Sequence, residues 1–132
     1  MPIWLKETEL RYFHHEQLVE HGGLRGVHDE GALESTLARP LQLLNYEPET
    51  TLPELAACYG YGFARNHVFA DGNKRIALVT IDLFLMLNGY TLAAGEEESV
   101  VIINEVANGE MNQQELAKWI EQNSRPFDLD KE

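Results

Sequence analysis

A chain of 132 residues with 44% hydrophobic and 24% charged side chains has the length of one domain, 1-132, and the composition of a soluble globular protein. Its net charge of −12 disfavours direct nucleic-acid binding, which requires a broad cationic surface, and favours basic partners. The single cysteine, Cys58, rules out an internal disulfide; Met1 to Glu7 lacks a secretory apolar stretch; and the longest apolar run, Ile76 to Leu87, is too short to span a bilayer, so a cytoplasmic protein without membrane attachment is expected.

Ile3 to Leu5 reads as a short extended lead-in. Glu7 to His21 predicts a first helix with Leu10, Phe13 and Leu18 on its apolar face, acidic residues in its first turn and Gly22-Gly23 as its stop. Leu24 to Asp29 is a loop. A second helix, Glu30 to Ala38, is expected to end before Pro40, because the residue preceding a proline is driven out of the helical region. Leu41, Leu43, Leu44 and Tyr46 then form an apolar stretch, either a short helix or an irregular packed segment. Thr51-Leu52-Pro53-Glu54 has the form of a capping box with proline in the first turn, which predicts a third helix from Leu52 to Asn66. Gly60 and Gly62 cost it helix propensity but permit close packing against the next helix. Arg65, near its end, is expected to point toward the His67 loop and add a phosphate contact.

The next helix begins at Asp71-Gly72-Asn73, runs through Ile76 to Leu87 and stops at Asn88-Gly89. It is apolar on nearly every side, interrupted only by Thr80 and Asp82, and belongs in the middle of a bundle. Tyr90-Thr91-Leu92 is a brief extended connector. Glu96 to Asn108 predicts a fifth helix, and Asn112-Gln113-Gln114-Glu115 caps a sixth that ends near Asn123. The polar tail, residues 124–132, is expected to fray. The whole reads as all-α: a compact orthogonal bundle of about six helices around a central buried helix, without a sheet of consequence.

The chemistry concentrates at the start of the fourth helix, in His67-Val68-Phe69-Ala70-Asp71-Gly72-Asn73-Lys74-Arg75. A helix N-terminus carries unpaired amides and partial positive charge, which disfavours a nearby cation by about 0.3 to 1 kcal/mol. Lys74 and Arg75 nevertheless stand there side by side. A polyanion, most simply phosphate, resolves the conflict. Asp71 supplies a carboxylate able to hold Mg²⁺ against phosphate oxygens, and His67 an imidazole suited to accept a proton near neutral pH. Taken singly these residues have plainer readings: Asp71 and Asn73 as caps, Lys74 and Arg75 as a solvated first turn, His67 as a hydrogen-bonded or surface histidine. The combination of base, carboxylate, glycine turn and two cations points to a phosphate-handling site.

Other patterns fail. Gly60-Tyr61-Gly62 begins like a dinucleotide fingerprint, but its third glycine position is Arg65, and no phosphate-binding P-loop is present. His15-Glu16 opens like a zinc motif whose closing position is Val19. His14 and His21 share a helical face at a spacing long for joint metal ligation, which leaves surface or packing roles. Cys58, within an apolar helix, reads as a small core residue.

The string from His67 to Arg75 resembles the signature of the Fic/Doc superfamily, and its Doc (death-on-curing) branch in particular. The likeness extends to Gly22-Gly23-Leu24-Arg25-Gly26, Asp29 and Glu30 to Ser35, which are similar to the loop and second helix of Doc proteins. The common Fic motif has glycine where Lys74 stands and a second arginine where Leu78 stands, features associated with AMP transfer. Their replacement resembles Doc, which implies ATP as substrate, Mg²⁺ as cofactor and transfer of the terminal phosphoryl group.

On that resemblance His67 is the catalytic base, Asp71 the metal ligand, and Gly72, Asn73, Lys74 and Arg75 the nucleotide and phosphate binders, with the loop Gly23 to Asp29 bordering the site. It further implies a toxin of a toxin-antitoxin pair, a kinase acting on the translation machinery with elongation factor Tu as target. The inhibitory Fic motif, Ser/Thr-x-x-x-Glu-Gly/Asn, is missing here: the one Glu followed by Gly or Asn is Glu30, and four residues before it stands Gly26. Restraint is therefore expected in trans, from a small Phd-type antitoxin whose C-terminal segment lies in an exposed apolar groove. Two alternatives stand beside the kinase: an AMP transferase on the same fold, and an inert protein-binding module.

Overall fold

The computed structural model describes residues 1–127, and four of its six described helices begin where a side chain closes the first turn. Helix α1 spans Glu7–His21, its N-terminus tied by the Lys6 amide donating to the Glu9 carboxylate at 2.9 Å and its end turned by Gly22 at φ +78. Helix α2 spans Glu30–Tyr46, with the Asp29 carboxylate accepting from the Ala32 amide at 3.0 Å. Helix α3, Leu52–Arg65, has the expected capping box between Thr51 and Glu54. Helix α4, Asn73–Leu87, starts from Gly72 in the left-handed conformation. Strand β1 (Tyr90–Leu92), helix α5 (Glu96–Ala107), helix α6 (Gln113–Asn123), capped by Asn112 with Glu115, and strand β2 (Ser124–Pro126) complete the order.

Two sequence expectations are corrected. Helix α2 does not stop before Pro40 but runs through it to Tyr46. Proline there removes one backbone donor and costs about 3 kcal/mol in an isolated helix. Pro40 is buried, and Leu43 and Leu44 beyond it pack against the core, so tertiary burial outweighs the local penalty. The tail does not fray from residue 124: Ser124 to Pro126 pair antiparallel with β1, in register Tyr90 with Pro126 and Leu92 with Ser124. The rest of the expected tail, residues 128–132, lies outside the described residues. The extended lead-in is pinned, since the Asn88 side chain bonds both the amide and the carbonyl of Ile3 and the Leu5 amide donates to the Tyr59 hydroxyl. Burial of Tyr59 pushes its phenol up to about 12.

Helix α4 shares the centre. Six of its 15 residues are buried, against nine of 14 in α3, and it is α3 that packs on α2, α4, α5 and α6. The two glycines of α3 allow this. A Cβ on Gly60 would lie 2.5 Å from Ile81 Cδ1 on α4, and one on Gly62 2.7 Å from Thr36 Cγ2 on α2, so the helices approach more closely than any side chain permits. Cys58 is in the core, as its apolar setting implied. No helix of the described residues is long and apolar enough to cross a membrane. The fold is all-α, and it delivers the N-terminus of α4 to the surface beside the end of α1.

Candidate active site

The segment between α3 and α4 is held in an irregular path by backbone bonds to the segment between α1 and α2. Val27 and Phe69 form an isolated antiparallel bridge, the amides of His28 and Asp29 donate to the Val68 carbonyl at 2.9 and 3.2 Å, and the Ala70 amide donates to the Gly26 carbonyl at 3.2 Å. Val68 and Phe69 are buried, and Phe63 and Phe69 stack with centroids 6.2 Å apart. His67 is exposed at φ +48, the one described residue other than glycine with positive φ. Such a conformation costs on the order of 1 to 3 kcal/mol and collects at functional sites.

Asp71 is exposed, yet its carboxylate is gripped at both oxygens. Oδ1 accepts from the Gly72 amide at 2.9 Å and Oδ2 from the Leu24 amide at 3.4 Å. Gly23 lies so close that a Cβ there would sit 2.9 Å from Oδ2, which is why this turn takes glycine, at φ +127. A carboxylate offers about four acceptor positions, and two remain here. One oriented carboxylate with spare lone pairs at the surface is the donor set Mg²⁺ uses when substrate phosphates and water fill its other positions, so the residues present fit that ion.

The structure divides the expected phosphate contacts. The Asn73 side chain faces inward, with Oδ1 accepting from the Phe69 amide at 3.0 Å and Nδ2 donating to the Phe69 carbonyl at 2.9 Å. The Gly72 amide, expected among the phosphate donors, is turned onto Asp71 instead. The first intrahelical amide bond of α4 is Ile76 to the Gly72 carbonyl, so among the described residues the amides of Asn73, Lys74 and Arg75 have no protein acceptor, the arrangement that suits a helix end to an anion. Lys74 and Arg75 are both exposed, and neighbours in a helix point about 100° apart. Arg75 lines a groove that Lys74 does not.

Arg65 is a further correction: it turns away from the His67 loop, donates to the Val106 carbonyl at 3.3 Å and closes the end of α5. His14, left by the sequence to a surface or packing role, belongs to the site. It is 5% exposed, stacks on Phe69 with centroids 3.9 Å apart, and brings Nε2 to 2.8 Å from the Asp71 carbonyl. The signal was its place four residues from both Leu10 and Leu18, a polar side chain on a buried stripe.

A groove of about 540 Å³ runs from Arg75 between the end of α1, α4, β1 and the start of α5. Leu78, Val79, Leu92 and Val100 contribute apolar walls, with Glu20, Asp82 and Glu96 among the acidic residues that line it. Although the outer edge of Asp82 is exposed, the groove displaces water from its carboxyl and raises it above the usual aspartate value. A raised folded value means that the folded chain holds the proton more tightly than the unfolded one. The stability from that proton is full below about pH 4 and is lost as pH rises through the raised value. Asp82→Asn should therefore gain on the wild type in urea melts as pH goes from about 4 to about 7; a constant difference across that range would contradict it.

These features define an all-α protein in which the start of α4 carries three amides without a protein acceptor and two exposed cations, with a carboxylate and an imidazole on the loop before it. Residues 4–85, more than half of the chain, match the model for the Fic/DOC family. The chain belongs to that family. It is 35% identical over 113 residues to "Protein kinase doc" of Escherichia phage P1, covering 86% of this chain and 89% of that protein. It is 33% identical over 102 residues to "Toxin Doc" of Mycolicibacterium smegmatis, covering 75% and 78% respectively.

Proposed function

We propose that this protein is a Doc-type toxin acting as a protein kinase. The observation that carries the reading is the end of α4, where three unclaimed amides, Lys74 and Arg75 adjoin a carboxylate already fixed in orientation. The names of the two relatives, a kinase and a toxin, support it.

The terminal phosphate of ATP sits against the amides of Asn73 to Arg75, whose dipoles and two side-chain cations oppose the charge of the transferring group. A target hydroxyl oxygen forms the new bond to the γ phosphorus while the bond from that phosphorus to the ADP oxygen breaks. His67 takes the hydroxyl proton, and ADP leaves. Asp71 would hold Mg²⁺, which supplies charge neutralisation across the phosphate oxygens. The loop from Gly23 to Asp29, bonded along the edge of the His67 segment, would help hold the target. On the Doc resemblance we take elongation factor Tu as the target and arrested translation in the cytoplasm as the consequence.

The groove beside Arg75 is the seat we assign to a Phd-type antitoxin, its acidic residues favouring a segment that carries basic residues among its apolar ones.

Incubation with ATP labelled at the α or the γ phosphate tests the reading. Label from the γ position alone should stay on the target; retention of α label would make the protein an AMP transferase, and retention of neither would leave a binding module. Asp71→Asn, which removes the ligand's charge itself, should reduce γ transfer by more than the roughly 10 to 100-fold that losing a group behind a ligand costs, and blunt its dependence on added Mg²⁺. A variant with the wild-type Mg²⁺ curve would remove Asp71 from the metal site.

A further inference from the structure

The geometry points to His14 as a positioning residue that locks the Asp71–Gly72 peptide and thereby aims the Asp71 carboxylate. The inference rests on the reading of Asp71 as the metal ligand. Its physical core is that the two groups involved belong to one peptide unit. The carbonyl of Asp71 accepts from His14 Nε2 at 2.8 Å, and the amide on the other side of the same planar bond, that of Gly72, donates to Asp71 Oδ1 at 2.9 Å. Fixing one end of a rigid plane fixes the other. A carbonyl has no hydrogen to give, so Nε2 is the donor, and the neutral ring in that tautomer already supplies the proton the bond needs.

The lock is needed because the residue on the far side of the peptide is a glycine. Gly72 lies at φ +79, and glycine tolerates the alternative backbone angles that a turned Asp71–Gly72 plane would require. If the plane turned, the Gly72 amide would leave Oδ1, and the carboxylate would keep only the longer bond from Leu24. The Asp71 carbonyl takes no helical bond, since the first amide bond of α4 goes to the Gly72 carbonyl. His14 is therefore the sole group among the described residues that bonds this carbonyl. The ring is itself immobilised: it is buried, packed flat on Phe69 at an interplanar angle of 15°, and carried on α1 between Leu10 and Leu18, both buried. A helix outside the motif thus sets the direction of a carboxylate inside it.

Two variants separate the donor from the packing. His14→Phe keeps a flat ring against Phe69 and removes the donor; His14→Gln places an amide donor near the position of Nε2. Three readouts are taken: the amide resonance and hydrogen exchange of Gly72, the affinity for Mn²⁺ with a non-hydrolysable ATP analogue by calorimetry, and the thermal midpoint. His14→Phe should shift the Gly72 resonance, speed its exchange and weaken Mn²⁺·nucleotide binding by about 10-fold, the scale of lost support behind a metal ligand, with the fold retained. His14→Gln should recover most of both. A phenylalanine variant with wild-type Gly72 exchange and Mn²⁺ affinity overturns the proposal, and so does a glutamine variant as impaired as the phenylalanine one. If the wild type transfers no phosphate, the kinase reading falls, and the Gly72 measurements still decide the lock.

Discussion

Replacing His67 with alanine should lower γ-phosphate transfer by about 10² to 10⁴-fold, the usual worth of a positioned general base, and should relieve growth inhibition in cells that express the protein. The fold should be indifferent. His67 is exposed and the described bonds of its segment run through the backbone of Val68, Phe69 and Ala70, so the thermal midpoint should stay near that of the wild type. His67→Gly sharpens the contrast. Glycine gives up about 0.5 to 1 kcal/mol of extra chain entropy on folding, whereas the left-handed conformation at φ +48 costs a histidine about 1 to 3 kcal/mol. Relief wins, so the inactive glycine variant should melt at or above the wild type. A variant that transfers phosphate at the wild-type rate would end the assignment of His67 as base.

The largest loss of stability should come from Phe84→Ala. Phe84 is fully buried on α4, stacked with Trp4 at 6.0 Å between ring centroids and tilted against Tyr59 at 5.1 Å. Truncating a core phenylalanine costs about 3 to 5 kcal/mol through lost burial and the cavity left behind. Against a total of about 5 to 15 kcal/mol for a domain, that is a large share, and it should appear as an early urea midpoint with unchanged slope. Eleven residues of helix, about 16 Å at 1.5 Å each, separate Phe84 from Asn73. The folded fraction should therefore keep its activity. A loss of specific activity in folded protein would mean that packing at the far end of α4 reaches the site.

Helix boundaries proved legible where their cause is local. The capping pairs Thr51 with Glu54 and Asn112 with Glu115 lie three residues apart, as does Asp29 with the Ala32 amide, so those starts are set by a few neighbouring residues alone. Pro40 misled because its local penalty is real and the compensating burial of the residues around it depends on helices distant in sequence. Arg65 misled for the same reason: nearness in sequence to His67 suggested a shared site, while its acceptor lies 41 residues on, at Val106. In the site, the sequence showed that the His67 to Arg75 segment gathers a base, a carboxylate and two cations at one helix start, because those residues are neighbours in the chain. What it left hidden was the division of labour. That the Gly72 amide serves Asp71, that Asn73 faces inward and that His14 closes the arrangement from 57 residues away are facts of tertiary contact.

The clasp between the α1–α2 loop and the segment before α4 is made from main-chain groups at Gly26, His28, Asp29, Val68 and Ala70. Main-chain bonds are blind to side-chain identity. The outward-facing side chains of that loop, Leu24, Arg25 and His28, are exposed. On the kinase reading they are a rewritable rim beside a fixed site, so exchanging them should redirect which protein is recognised without retuning how the reacting groups are held.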